Sequence, residues 1–191
     1  PQYAAATTAT VCDEVYRTLM GMRWQPSLQI IPHYESEPLY IEALIKSIEN
    51  KIQTISWKPD LILASYHGIP KKYFDKGDPY HCYCHKTTRL ISEKLNSIEI
   101  KTTFQSRFGP DEWLKPYTDK TLENLPKEGI KNILIICPGF SSDCVETLEE
   151  ISIEGKESFV NSGGENFDMI PCLNDNDDHI SLLKSLIQRS I

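Results

Sequence analysis

Apolar residues recur along the chain with two spacing patterns, one typical of helices and one typical of buried strands. Spacings of three and four residues predict amphipathic helices, and short apolar runs that stop at Gly, Pro or Asp predict strands. The predicted helices cover residues 7–22, 39–53, 83–95, 119–127, 143–159 and 177–189. The predicted strands cover residues 27–31, 61–64, 98–104, 133–137 and 167–171.

Because strands and helices alternate, we predict an α/β fold with a parallel sheet of about four or five strands and helices on both faces. The run ILIIC at 133–137 is apolar throughout, as a strand covered on both faces should be. No linker or repeat divides the chain, so we predict a single α/β domain over residues 1–191. No Gly-x-Gly-x-x-Gly or Gly-x-x-x-x-Gly-Lys motif follows a strand, so this pattern does not imply a nucleotide.

Composition narrows the classes of function. The net charge is −7 and no basic stripe stands out, so we expect no nucleic-acid partner. No apolar run approaches the roughly 20 residues that span a bilayer, although a peripheral membrane contact stays open. Six cysteines without a disulfide framework favour a reducing compartment, which we take to be the cytoplasm. The chain starts at Pro1 without a Met or a leader, and we expect it to be part of a longer protein.

Two unusual loops follow predicted strands, at the edge where parallel α/β sheets bind ligands. The first covers residues 65–80 and carries His67. The second covers residues 137–154 and leads into a helix. Since both loops follow strands of one parallel sheet, we expect their polar groups to meet. His67 alone would more ordinarily be a capping histidine that hydrogen-bonds a loop.

The second loop carries Glu146, Glu150 and Glu154 at intervals of four residues, which places them on one helix face about 6 Å apart per step. A solvated charged surface is the ordinary explanation of such a pattern. The functional explanation is a ladder of oxygen ligands that conducts a hydrated divalent cation. A histidine and a carboxylate at one cleft can hold a first-row metal or accept protons, and an apolar pocket would raise the pKa of that carboxylate.

Aromatic residues and a Cys/His run are the remaining candidates. Tyr80, Trp113 and Phe140 lie in loops beside strand ends, where they can line a flat, apolar ligand pocket. The run HCYCH at 81–85 suggests a metal site at first sight. Its Cys-x-Cys spacing is tighter than zinc sites use, and no second ligand pair lies elsewhere, so we favour no metal there.

The chain resembles the carboxy-terminal half of the ferrochelatase family, whose members insert ferrous iron into a porphyrin to make haem. The resemblance rests on nine motifs in the order of the family: PQY at 1–3, SYHGIP at 65–70, KGDPY at 76–80, TTR at 87–89, FQSRFG at 104–109, WLKPYTD at 113–119, CPGFSSD at 137–143, ETLEE at 146–150 and PCLN at 171–174. It implies a chelatase-like fold of two similar Rossmann-like halves with the porphyrin between them. This chain would be the second half, and the amino-terminal half would be absent.

The resemblance also implies roles for single residues. The invariant histidine of the family falls on His67 and its key active-site glutamate on Glu146, which makes them the expected catalytic pair. Together with Glu150 they are the expected metal-handling residues. Whether His67 accepts pyrrole protons or presents the metal stays open. The expected substrate-binding positions are four aromatic residues: Tyr3, Tyr80, Trp113 and Phe140.

The chain departs from the family pattern in two places. Cys144 stands where some members carry a histidine, two residues before the key glutamate, and a thiolate there could bind iron. Ala5 stands where one group of members has the first cysteine of a [2Fe–2S] cluster, and the paired cysteines of that group's extension are missing because the chain stops at Ile191. We therefore predict no [2Fe–2S] cluster and no cofactor beyond the Fe²⁺ substrate.

The expected activity is insertion of Fe²⁺ into protoporphyrin IX, in the cytoplasm or peripherally at the inner membrane. Its expected partners are the porphyrin, Fe²⁺ and the missing amino-terminal half. Coproporphyrin is an alternative substrate, and a chelatase for another tetrapyrrole, such as cobalt insertion into sirohydrochlorin, is an alternative enzyme. Those cobalt enzymes tend to place histidines on both sides of the site, whereas here the second side offers Glu146. A non-catalytic tetrapyrrole-binding module is the alternative outside enzymes.

Overall fold

The computed structural model describes all 191 residues and contains one four-stranded sheet. The strands are β1 (Leu61–His67), β2 (Ile100–Gln105), β3 (Asn132–Ile136) and β4 (Asn166–Met169). They lie in the order β2-β1-β3-β4, and every neighbouring pair is parallel. The predicted α/β fold with a parallel sheet of four or five strands is confirmed, with four strands present.

Helical segments connect these strands. The α-helices are α1 (Thr10–Met20), α2 (Pro38–Thr54), α3 (Lys71–Asp75), α4 (Tyr80–Leu95), α5 (Thr118–Asn124), α6 (Val145–Leu148), α7 (Lys156–Asn161) and α8 (Asp177–Gln188). Two π-helical segments, Ala5–Ala9 and Glu150–Gly155, precede α1 and α7, and a 3₁₀ turn covers Leu125–Glu128. None of these helices combines the length and the apolar character needed to cross a bilayer.

The sheet separates two apolar cores, because successive side chains of a strand point to opposite faces. Ile62 and Ala64 of β1 pack into the larger core, which also holds residues of α2, α4 and α8. Leu61 and Leu63 pack into the other core with residues of α5 and α7. Both faces are therefore covered, which is why the strands are almost continuously apolar in sequence.

The predicted strand at 27–31 is wrong. This segment has no regular secondary structure, and its apolar side chains stay exposed, including Leu28 at 44%, Ile30 at 39% and Ile31 at 38%. Pro26 and Pro32 flank the segment and offer no N–H to a sheet ladder. A short apolar run therefore becomes a strand only where a sheet edge is available to pair with it.

One strand end and one helix near the loops also differ from the prediction. Strand β1 continues three residues beyond Ala64 and ends at His67, since Tyr66 and His67 still pair with β2. The predicted helix at 143–159 is divided into α6, a π-helical segment and α7. A π turn takes one extra residue per hydrogen-bonded ring, so it interrupts the 3.6-residue period that the prediction assumed over the whole of residues 143–159.

Candidate functional site

The two predicted loops meet at the carboxyl edge of the sheet. His67 closes β1 and lies in register with Gln105, the last residue of β2. The ring of Phe140, from the loop after β3, lies 6.3 Å from the His67 ring, centroid to centroid. The ring of Trp113, from the segment after β2, lies at the same distance. Because β1 is a central strand, His67 receives neighbours from both sides.

The hydrogen bond of His67 defines what its imidazole can do. Nδ1 lies 2.6 Å from the carbonyl oxygen of Gly68. A carbonyl oxygen only accepts, so Nδ1 carries the proton and donates it to Gly68. Nε2 then keeps its lone pair and can accept a proton or bind a metal ion. The loop-capping role and a chemical role therefore use different nitrogens of the same ring.

An apolar cavity of about 700 Å³ opens beside His67. Its wall includes three of the predicted aromatic residues, Tyr80, Trp113 and Phe140. This size falls in the range of small-molecule sites, and the mostly apolar lining with one imidazole suits a flat, apolar ligand. Tyr3 is not part of the wall, although Gln2 is. The structure thus brings together His67 and three of the four predicted substrate-binding residues.

A second, more polar cavity of about 520 Å³ adjoins the first. Glu150 and Glu154 lie on its wall, so two members of the predicted acidic ladder do share one cavity. Phe108 and Trp113 line both cavities and form the boundary between them. Glu146 lines neither wall. The acidic face and the aromatic cavity are therefore neighbours on one side of the molecule.

Glu150 is held in place by the end of β2. One carboxylate oxygen accepts from the Ser106 backbone N–H at 2.6 Å. The other accepts from the Ser106 hydroxyl at 2.5 Å and from the Gln105 amide at 3.3 Å. Ser106 adopts a positive φ of 62°, which turns both of its donors towards the same carboxylate.

No three His, Cys, Asp or Glu side chains of the chain converge closely enough to hold a metal ion. The predicted metal-handling residues His67, Glu146 and Glu150 are therefore not one ligand set within this chain. The HCYCH run lies in the first half of α4. His81 and His85 face each other at 4.4 Å between ring centroids, while Cys84 is buried, which raises the pKa of its thiol.

Glu146 is an anion at neutral pH. Hydrogen bonds from the neighbouring Cys144 thiol and from the Glu146 backbone amide lower the pKa of its carboxyl below the ordinary value, and His67 makes a smaller contribution in the same direction. The expectation that an apolar pocket raises this pKa is therefore wrong for this chain. Burial and Glu146 raise the pKa of Cys144, which keeps it a thiol.

Asp143 anchors the start of the helix that carries Glu146. Its carboxylate accepts from the Thr147 hydroxyl at 3.2 Å, the Cys172 backbone N–H at 3.1 Å and the Asn174 amide at 2.8 Å. Burial alone would raise the pKa of Asp143, but these hydrogen bonds outweigh it and lower the pKa. The sequence-based prediction did not include Asp143, Gln105 and Ser106. The available signal was their position at the end of β2 or in the loop after β3, inside the motifs FQSRFG and CPGFSSD.

Asp143→Asn is expected to lower the free energy of unfolding by about 1–3 kcal/mol at pH 7, because an amide cannot accept from all three donors. The folded-state pKa lies below the unfolded one, so this contribution is present above the ordinary value of about 3.9 and is lost as pH falls through the lowered pKa. Denaturant unfolding of both proteins between pH 7 and pH 3 checks this. A difference that stays constant over that range would contradict it.

Gly68 is required by the close approach of β2 and Trp113. A Cβ at this position would lie 2.9 Å from the Gln105 carbonyl oxygen and 3.0 Å from Cε3 of Trp113. Gly68→Ala is therefore expected to destabilise the protein by about 1–3 kcal/mol and to displace the end of β1. Gly21→Ala is the matched control, since its Cβ would have ordinary contact at 3.4 Å, and it should stay within about 0.5 kcal/mol of the parent. Equal unfolding midpoints for the two variants would refute the steric argument.

Comparison with known proteins gives one consistent family. A model of the family described as Ferrochelatase matches residues 1–191. Proteins named ferrochelatase from Allorhizobium ampelinum, Rhizobium meliloti and Rhizobium etli are 56%, 55% and 53% identical to the chain over 193 aligned positions. Each match covers all of this chain but only 56%, 57% and 56% of the relative. The chain thus spans little more than half the length of these curated relatives.

Proposed function

The chain belongs to the ferrochelatase family, and we propose that it is the carboxy-terminal half of an enzyme that inserts Fe²⁺ into protoporphyrin IX to form haem. One observation carries this proposal. The imidazole of His67 has one nitrogen occupied by Gly68 and the other available, and it stands on the wall of an aromatic cavity of about 700 Å³. The adjoining cavity supplies carboxylates suited to a divalent cation.

The reaction releases two pyrrole protons for each Fe²⁺ that enters the macrocycle, so the site needs an acceptor for protons and a group that handles the metal. In this proposal the porphyrin lies against Tyr80, Trp113 and Phe140. Nε2 of His67 accepts the pyrrole protons or presents the metal. Glu146, an anion at neutral pH, takes the complementary role.

The acidic face is the proposed route of the metal towards the porphyrin. Fe²⁺ would pass along Glu154 and Glu150 to Glu146. Three hydrogen bonds from Gln105 and Ser106 fix the Glu150 carboxylate, so it would attract a hydrated cation by charge without changing its own position. Glu154 has an exposed side chain and can take up the ion from solvent.

The absent half is the proposed partner of this chain within the complete protein. The relatives are nearly twice as long as the chain, and none of the residues of α1 is buried. Val11, Met20 and Trp24 are 63%, 84% and 78% exposed, which supports a further part of the protein packing on this segment. A cytoplasmic location and the absence of a [2Fe–2S] cluster stay predictions.

Anaerobic insertion by the complete protein tests the proposal. Fe²⁺ or Zn²⁺ is offered with protoporphyrin or coproporphyrin, and the visible absorbance of the product is followed. Faster insertion into protoporphyrin is the expected result, whereas a preference for coproporphyrin would change the substrate and keep the reaction. Porphyrin binding without insertion of either metal would refute the enzyme and favour a binding module. Cobalt insertion into sirohydrochlorin alone would move the protein to the related chelatases.

A further inference from the structure

Gln105 is a buried polar residue to which the proposed mechanism gives no role beyond its bond to Glu150. It is the last residue of β2 and only 3% exposed. Its backbone lies in register with His67, and its carbonyl oxygen accepts from the N–H of Gly68 at 2.8 Å. A buried amide must find partners for both its oxygen and its NH₂ group, so those partners show what it holds together.

The surroundings fix the orientation of the Gln105 amide. Its nitrogen lies 2.7 Å from the backbone carbonyl oxygen of Glu146 and 3.3 Å from the Glu150 carboxylate. Both groups only accept, so the NH₂ group must face them. The amide oxygen then faces Ser65, whose hydroxyl donates to it at 2.8 Å. The thiol of Cys137, directly after β3, lies 3.7 Å from the same oxygen.

These hydrogen bonds connect β1, which carries His67, to α6, which carries Glu146. Ser65 precedes His67 by two residues on β1, and Glu146 lies in α6, just before the helix changes to i→i+5 pairing at Glu150–Gly155. Residues 105 and 146 are 41 positions apart in sequence, so no local interaction sets their separation. The Glu146 side chain itself is partly exposed, unlike the buried side chain of Gln105.

We infer that Gln105 is a positioning residue, which holds the backbone of Glu146 and the carboxylate of Glu150 at a set distance from His67. The inference rests on the proposed function, because it concerns how the metal is handed to the porphyrin. In this role the Gln105 amide makes no contact with the substrate. Its role is to keep Glu146 within reach of the imidazole, as outer hydrogen-bonding groups keep metal-handling side chains oriented.

Two variants of similar size test this in the complete protein. Gln105→Leu removes both hydrogen-bonding groups, and kcat for metal insertion should fall about 10- to 100-fold with the porphyrin dissociation constant unchanged. Gln105→Glu keeps the acceptor for Ser65 but places an oxygen against the Glu146 carbonyl and the Glu150 carboxylate. The protonated form of the introduced carboxyl can donate to the Glu146 carbonyl. The activity of this variant relative to the parent should therefore rise several-fold as pH falls from 8 to 6.

Gln29→Leu is the matched control, since Gln29 is exposed and the same chemical change there should leave kcat unaltered. Parent-like kcat, KM and pH profile in both Gln105 variants would overturn the inference. So would a fall that is the same at every pH in Gln105→Glu, since a general loss of folded protein has no such pH signature.

A crystal structure of Gln105→Leu separates this inference from the proposed function. Positioning predicts that α6 moves away from β2 and that the distance between Glu146 and His67 changes. An unmoved α6 would overturn the inference whether or not the parent inserts metal. If the parent inserts no metal but α6 does move, the proposed enzyme fails while the positioning of Glu146 by Gln105 stands.

Discussion

His67→Ala in the complete protein is expected to lower the rate of metal insertion by about 10²–10⁴-fold and to leave porphyrin affinity unchanged. The reason is that Nε2 is the nitrogen left available by the bond between Nδ1 and Gly68. Alanine removes that group but leaves Tyr80 and the rest of the aromatic wall in place. Steady-state insertion of Zn²⁺ and a porphyrin absorbance titration measure the two quantities separately.

His85→Ala is the control for this experiment. His85 is exposed on α4 and lies on neither cavity wall, so its loss should change insertion by less than a factor of about two. Turnover like that of the parent in His67→Ala would remove His67 from the mechanism and leave it as a loop-capping residue. Loss of both porphyrin binding and turnover in His67→Ala would instead make His67 a binding residue.

Glu146→Gln is expected to lower insertion by about 10²–10³-fold, because in the proposed mechanism it removes the negative charge that handles the metal at the end of its route to the porphyrin. Gln has nearly the same size, and the backbone bond from Gln105 to residue 146 is kept. Because the pKa of Glu146 is lowered from its ordinary value, its carboxylate does not titrate near neutral pH. Any titration of activity between pH 5 and pH 8 should therefore persist in the variant.

Glu149→Gln provides the matched control on the same helical segment. Glu149 is exposed and lies outside both cavity walls, so neutralising it tests whether the general negative charge of the segment matters. Equal losses in the two variants would show that only the overall field acts on the metal. A loss confined to Glu146→Gln, measured as kcat at saturating Zn²⁺, would assign the effect to that carboxylate.

Much of the site was predictable because it is built from residues that directly follow apolar strands. His67 ends β1, and Phe140 follows β3 by four residues, so a parallel sheet must bring them to the same edge. The metal-handling roles of His67, Glu146 and Glu150 stay predictions, and the hydrogen bonds from Ser106 to Glu150 were not predicted. No spacing rule contains that information, because it depends on which strand lies next to β1.

By itself the sequence determined most of the local elements and the resemblance to the family. The apolar run at 133–137 is typical of a strand covered on both faces, and the order of strands and helices leaves few alternatives to a parallel α/β sheet.

Only the tertiary structure decided that β1 lies between β2 and β3, that residues 27–31 pair with no strand, and that the Gln105 amide reaches Glu146. The physical reason is that periodicity records which face of an element is buried. Hydrogen bonds between residues far apart in sequence are set instead by the order in which strands assemble, and that order determines how His67 and Glu146 are held.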